Sequence, residues 1–217
     1  RDAGGLWDKY PVEQVATPEG YARNPELVIN FYNERRKQLL DVVPNAGHLG
    51  VADLERDFNV TVVTQNVDNL HERAGSTHVI HLHGELTKVC SSRDPYNPHF
   101  VKELAPEEYE VKLGDKAGDG TQLRPFIVWF GESVPEIETA SRYVEQADIF
   151  VIIGTSLNVY PAAGLLNYVP RAAEVYLIDP KPVDTHVMRP IHVIQKGASE
   201  GVKELKALLA ATQPPLP

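Results

Sequence analysis

Cysteine is nearly missing: Cys90 is alone in 217 residues, so neither a disulfide within the chain nor a cysteine-rich zinc knuckle can form. Long hydrophobic runs are lacking as well. The longest are strand-sized, such as Phe150 to Ile153, which argues against a membrane-spanning helix. Positive charge is scarce: 21 Lys and Arg stand against 30 Asp and Glu, a net charge of −9. Nucleic acid is a poor partner for such a chain, because phosphate binding needs clustered cations. No Gly-x-Gly-x-x-Gly follows any apolar run, so the fingerprint of an ordinary dinucleotide-binding dehydrogenase is absent. No basic-then-apolar leader opens the chain. The expectation is a soluble cytoplasmic protein with one sizeable core and room for a small lobe.

What is present is a rhythm of short apolar runs and helical patterns. The runs are Val60–Thr64, Val79–Leu82, Phe126–Phe130, Ile149–Ile153, Val175–Ile178 and Ile191–Ile194. Most are continuously apolar, as expected of strands covered on both faces in a parallel sheet. Asn24-Pro25 supplies a cap and a first-turn proline for a helix carrying Leu27, Phe31 and Leu39. Ile137, Ala140, Val144 and Ala147 keep helical spacing, as do Val202, Leu205, Leu208 and Leu209. Alternation of this kind predicts an α/β fold with a doubly wound, Rossmann-like parallel sheet. Residues 11–58, largely helical, and 88–124, polar and irregular, leave that rhythm and are expected to form the small lobe.

Three clusters could carry chemistry. Gln65, Asn66, Val67 and Asp68 follow the first run, where ligands of open α/β sheets bind. Their amides and carboxylate suit ribose hydroxyls and a carboxamide, but Asn and Asp also favour plain strand-to-helix turns. His81 and His83 are expected on one face of the second strand, with Gly84 allowing close approach. A metal would need a third ligand that they do not supply, and a strand histidine serves either structure or catalysis. Gly154, Thr155 and Ser156 suit a phosphate or ribose near a helix N-terminus, or simply cap that helix.

The order of these clusters resembles the sirtuin family. Thr64-Gln65-Asn66-Val67-Asp68, His83-Gly84-Glu85-Leu86, Val128-Trp129-Phe130-Gly131-Glu132 and Gly154-Thr155-Ser156, followed by Val159, Pro161 and Ala162, match its motifs in order and natural spacing. The resemblance runs from Arg1 to about residue 210. Gly4-Gly5-Leu6-Trp7, Ala16-Thr17-Pro18 and Phe31-Tyr32-x-x-Arg35-Arg36 bring it nearest the bacterial members and the animal mitochondrial desuccinylase type.

That resemblance implies removal of acyl groups from protein lysine with NAD as co-substrate. Free lysine, nicotinamide and O-acyl-ADP-ribose would be the products. His83 would be the general base that deprotonates a ribose hydroxyl, a task suited to an imidazole titrating near neutrality. Gln65, Asn66, Val67 and Asp68 would hold the nicotinamide ribose and carboxamide. Arg1, Trp7, Gly154, Thr155, Ser156, Asp179 and Ala198 would contact the rest of NAD, Asp179 standing where many members carry Asn. Val128, Phe130, Gly131 and Glu132 on one side, and Val159 and Tyr160 on the other, would flank the acyl-lysine peptide as an added strand. Tyr32 and Arg35, three residues apart on one helix face, would bind the carboxylate of succinyl- or malonyl-lysine.

Two departures from the family pattern matter. Most sirtuins hold zinc through four cysteines between the His-Gly and Trp-Phe-Gly motifs, whereas residues 88–124 contain only Cys90. No zinc is expected, and a loop or hairpin held by its own packing should replace the zinc lobe. Arg1-Asp2 resembles the end of the family's Gly-rich phosphate loop, so that loop and its strand are expected to be missing from residues 1–217. Rival classes are a pseudoenzyme that binds NAD or ADP-ribose, a module that binds acidic acyl peptides, and a mono-ADP-ribosyltransferase.

Overall fold

The computed structural model describes residues 6–155, 162–183 and 189–212, with Trp7 by its backbone alone. Four helices come first: α1 (Leu6–Lys9), α2 (Val12–Val15), α3 (Pro18–Arg23) and α4 (Pro25–Leu39). Then follow α5 (Ala46–Asp53), β1 (Val62–Thr64), α6 (Leu70–Ala74), β2 (Val79–His81) and β3 (Gly84–Ser91). β4 (Lys102–Glu103), β5 (Leu123–Ile127), α7 (Ile137–Val144) and β6 (Ile149–Ile153) continue the chain. β7 (Glu174–Ile178), β8 (His192–Ile194) and α8 (Ala198–Thr212) complete it. No helix among the described residues is long and apolar enough to cross a membrane.

Two compact units share the chain. The first comprises residues 1–42, 64–69 and 81–135; the second comprises 43–63, 70–80 and 136–217. The helical stretch 11–58, expected as one insertion, therefore divides at Val42 and Val43. The reason is packing: within the second unit, α5 lies so close to α8 that a Cβ on Gly50 would stand 2.7 Å from Val202 Cγ1.

The second unit is the α/β layer. β6, β7 and β8 form a parallel sheet in that order, with Ile153 opposite Ile178 and Ile178 opposite Ile194. α8 covers it through Val202, Leu205 and Leu209, all buried. Gly201 sits at the point of closest approach, where an added Cβ would be 2.2 Å from Ile178 Cγ2. Only a residue without a side chain lets helix and strand meet this tightly.

The first unit carries an antiparallel sheet of order β4-β3-β5. Two expectations change here. The 126–130 run belongs to this antiparallel sheet and its exit, not to the parallel one, and residues 88–91, read as irregular, complete β3. β3 alternates between faces at its start, with Gly84 and Leu86 buried and Glu85 and Thr87 half-buried, as a half-covered strand does.

α4 anchors this unit. Asn24 accepts from the Leu27 N–H at 3.1 Å and Pro25 opens the first turn, which satisfies the helix start. Val28, Ile29, Phe31, Tyr32 and Leu39 then bury its inner face. Two polar residues on that face grip residues 109–111. The Asn33 side chain accepts from the Val111 N–H at 2.9 Å and donates to the Val111 carbonyl at 2.8 Å. Arg36 donates to the Tyr109 carbonyl at 2.9 Å and to Asn33 Oδ1 at 3.0 Å. Ser91, Asp119 and Thr121 form a second polar staple, with Ser91 Oγ donating to Asp119 at 2.5 Å and Thr121 Oγ1 to the same carboxylate at 2.6 Å. Hydrogen bonds and packing hold residues 88–124 together.

Candidate active site

The polar loop after β1 is tied down on both sides of His83. Asn66 N–H donates to Thr64 Oγ1 at 3.0 Å, a local bond that caps the strand end. The Thr64 carbonyl accepts from Leu82 N–H at 2.9 Å, and the Val67 carbonyl from Leu86 N–H at 2.7 Å. Gln65, Val67 and Asp68 are half-buried and Asn66 is exposed. The turn reading and the ligand reading are thus compatible: Thr64 does the capping.

The two histidines separate. His81 ends β2, is buried, and places Nδ1 3.0 Å from the Asn66 carbonyl oxygen. It is a structural tie between strand and loop. His83 is not on the strand but in the Leu82–His83 turn, half-buried, so the shared strand face expected for the pair does not exist. The turn arises because Gly84 has φ +87 and starts β3 against β5, where an added Cβ would stand 2.1 Å from the Phe126 carbonyl oxygen. Burial lowers the His83 pKa below its ordinary 6.5, and a hydrogen bond with the Gln65 backbone opposes the shift. A neutral imidazole at pH 7 is equipped to accept a proton.

The exit of β5 lies beside this turn, the Val128 N–H donating to the His83 carbonyl at 2.9 Å. Val128 is half-buried, Phe130 is exposed, and Gly131 turns with φ +90 and open space around it. Phe130 N–H donates to the Ala16 carbonyl at 3.0 Å.

Glu132 anchors the end of this edge. Its carboxylate turns inward and accepts from Arg124 at 2.9 and 3.0 Å, Tyr96 at 3.1 Å and the Trp129 N–H at 2.8 Å. Burial disfavours its charge, but the Arg124 hydrogen bonds and charge outweigh that and keep its pKa below the ordinary value. A carboxylate so fully engaged shapes the edge.

Tyr32 and Arg35 do share a face of α4. The guanidinium carbon of Arg35 lies 5.9 Å from the ring centroids of both Phe31 and Tyr32. Burial lowers the Arg35 pKa from its ordinary value, and Tyr32 and Asp68 oppose that shift. Tyr32 is fully buried and its hydroxyl accepts from the Trp129 indole N–H at 3.0 Å. Burial pushes its pKa up to about 12, so it stays a phenol.

Within the second unit, Gly154, Thr155, Asp179 and Ala198 collect at the carboxyl ends of neighbouring strands. Gly154 N–H donates to the Ile178 carbonyl at 3.0 Å and Asp179 N–H to the Ile194 carbonyl at 3.2 Å. Asp179 Oδ1 accepts from the Lys181 N–H at 2.8 Å. Gly154 has φ +62, which lets the chain turn as soon as β6 ends, and Ala198 opens α8 after β8. This is the end of a parallel sheet at which ligands bind. Arg1, Ser156, Val159 and Tyr160 lie outside the described residues, as does the side chain of Trp7.

Sequence reading passed over Arg124, Tyr96 and the role of Trp129. An arginine set in the apolar stretch from Leu123 to Phe130, eight residues before a glutamate, was the available signal, since a charge there needs a partner.

Residues 1–161 match the family model described as Sir2. The chain belongs to the Sir2 family. It is 84% identical over 209 residues to an NAD-dependent protein deacylase of Bacteroides thetaiotaomicron, covering 96% of this chain and 89% of that protein. A Helicobacter pylori NAD-dependent protein deacylase is 46% identical over 205 residues, covering 94% and 87%. Among solved structures, a Sir2 homologue in complex with ADP-ribose superposes with TM-score 0.82 at 33% identity, covering 99% of this chain and 87% of that one. A Sir2 homologue in complex with NAD gives 0.80 at 35% identity, covering 96% and 82%. The Sir2 chain accordingly has that family's α/β fold, with parallel strands and flanking helices.

Proposed function

We infer that this Sir2 chain is an NAD-dependent protein-lysine deacylase, and that it accepts succinyl and malonyl as well as acetyl groups. The observation that carries the enzymatic reading is His83, a half-buried imidazole kept neutral by burial in the turn beside the Gln65–Asp68 loop. Each unit by itself offers donor chemistry suited to part of NAD: amides and a carboxylate for carboxamide and ribose in the first, and strand-end backbone with Thr155 and Asp179 for an adenosine in the second. NAD supplies, when bound, an electrophilic ribose carbon with nicotinamide as its leaving group. Gln65, Asn66 and Asp68 orient the ribose, and His83 takes a proton from its hydroxyl at the imidazole nitrogen. The Val128–Gly131 edge pairs with the peptide backbone. Arg35 and Tyr32 receive the acidic acyl end through charge-assisted hydrogen bonds.

Mass spectrometry of acetyl-, succinyl- and malonyl-lysine peptides, incubated with full-length protein and NAD, tests this reading. All three should lose their acyl mass and yield O-acyl-ADP-ribose, the acidic ones faster. Binding without turnover of any of the three would make the chain a recognition module instead.

A pH dependence follows from His83. The neutral form is the active base, so activity is lost as pH falls through its pKa, which burial sets below the ordinary 6.5. The acid limb of kcat/KM should therefore lie below pH 6.5. An acid limb at or above that value would mean that His83 is not desolvated or not the base.

A further inference from the structure

Trp129 is held from three directions. The Arg124 guanidinium carbon stands 3.8 Å above its ring, its backbone N–H donates to Glu132 at 2.8 Å, and its indole N–H donates to Tyr32 at 3.0 Å. Tyr21 adds a tilted ring contact at 5.3 Å, and the whole side chain is buried. The indole cannot swing away without breaking a charged network.

We propose that Trp129 is a positioning residue for acyl selection: its indole N–H fixes the Tyr32 hydroxyl as a donor toward an anionic acyl group. This rests on the reading that Tyr32 and Arg35 receive such a group. A phenol oxygen carries one proton and can accept, whereas an indole N–H can only donate. The bond from Trp129 therefore forbids the hydroxyl rotamer that points its proton at the indole. The other in-plane rotamer remains, and its proton has no acceptor among the described residues. Tyr32 is buried, and a buried donor ordinarily finds an acceptor. A carboxylate brought in on an acyl chain is an acceptor of the right charge beside Arg35, whose guanidinium carbon is 5.9 Å from the Tyr32 ring. Because burial keeps Tyr32 protonated, outweighing the indole bond that favours the phenolate, it meets the incoming anion without charge repulsion.

The plain alternative is that Tyr32 exists to satisfy the buried indole, since a buried Trp N–H needs an acceptor. The two readings differ in their consequences. A structural bond affects all substrates alike; a positioning bond affects the acidic ones.

Trp129→Phe keeps an aromatic ring under Arg124 and removes the N–H. One net hydrogen bond is worth roughly 1 ± 0.5 kcal/mol, so the succinyl-over-acetyl ratio of kcat/KM should fall about 2- to 13-fold. The fall should appear mainly in KM for the succinyl peptide. It should also vanish in the Tyr32→Phe background, because the two residues act as one unit. Arg35→Met is measured alongside. If its ratio falls while that of Trp129→Phe stays constant, Trp129 is structural and the proposal is overturned, with the acyl reading intact. If neither variant moves the ratio, the acyl reading fails and the proposal with it. Should Trp129→Phe not fold, benzothienylalanine at position 129 replaces the N–H by sulfur in the same shape. An unchanged ratio for that protein overturns the proposal equally.

Discussion

His83→Ala should lower deacylation by about 10²- to 10⁴-fold, the range that a positioned general base supplies, leaving no more than a trace of turnover. The fold should persist. His83 sits in a turn whose geometry is set by backbone bonds, Val128 N–H to the His83 carbonyl at 2.9 Å and Leu82 N–H to the Thr64 carbonyl at 2.9 Å. Neither involves the imidazole. Gly84, which shapes the turn, is untouched. His81→Ala offers the contrast, for it removes a buried tie to the Asn66 carbonyl and should cost stability. Kinetics and a melting curve on full-length His83→Ala decide the matter, with NAD affinity as a third readout. Turnover near that of the parent protein would take His83 out of the mechanism. Loss of the fold would make it a structural residue.

Arg35→Met is expected to reverse the preference among acyl groups. A succinyl carboxylate gains charge-assisted hydrogen bonds that acetyl cannot make, worth roughly 1.5–3 kcal/mol, or about 10- to 150-fold in kcat/KM. Methionine keeps much of the stem that packs near Phe31 and Tyr32 while removing the charge. Succinyl and malonyl turnover should drop by that factor, and acetyl turnover should change little or improve. Kinetics on paired succinyl and acetyl peptides give the ratio. A ratio constant within about twofold, well below the charged-bond range, would return Arg35 to a structural role.

How much of this was legible in the sequence depended on how local each cause was. The Asn24 cap, its proline and the inner face of α4 could be read because they lie within one helix. β6 appears at Ile149–Ile153 as expected, its apolar run being bounded by Asp148 and Gly154. Phe126–Phe130 is equally apolar, and its pairing could not be read. Burial on both faces marks a parallel strand and an antiparallel one alike, and register with β3 is a long-range fact.

The site shows the same division. Residue types and order pointed to Gln65–Asp68 and His83, yet a period of two placed His81 and His83 together where a glycine turn sets them apart. Glu132 looked like part of an open edge because its partners, Arg124 and Tyr96, are brought to it only by the turn after β5. The hold of Asn33 and Arg36 on residues 109–111 spans more than seventy positions and leaves no local pattern.

In the proposed function, lysine deacylation and NAD cleavage are one reaction. Nicotinamide and free-lysine peptide should be quantified together in a single incubation of full-length protein with NAD and acyl-lysine peptide. They should form in equal amounts, and omitting either NAD or the acyl peptide should stop both. Deacylation without NAD, or nicotinamide release that does not depend on the peptide, would contradict it.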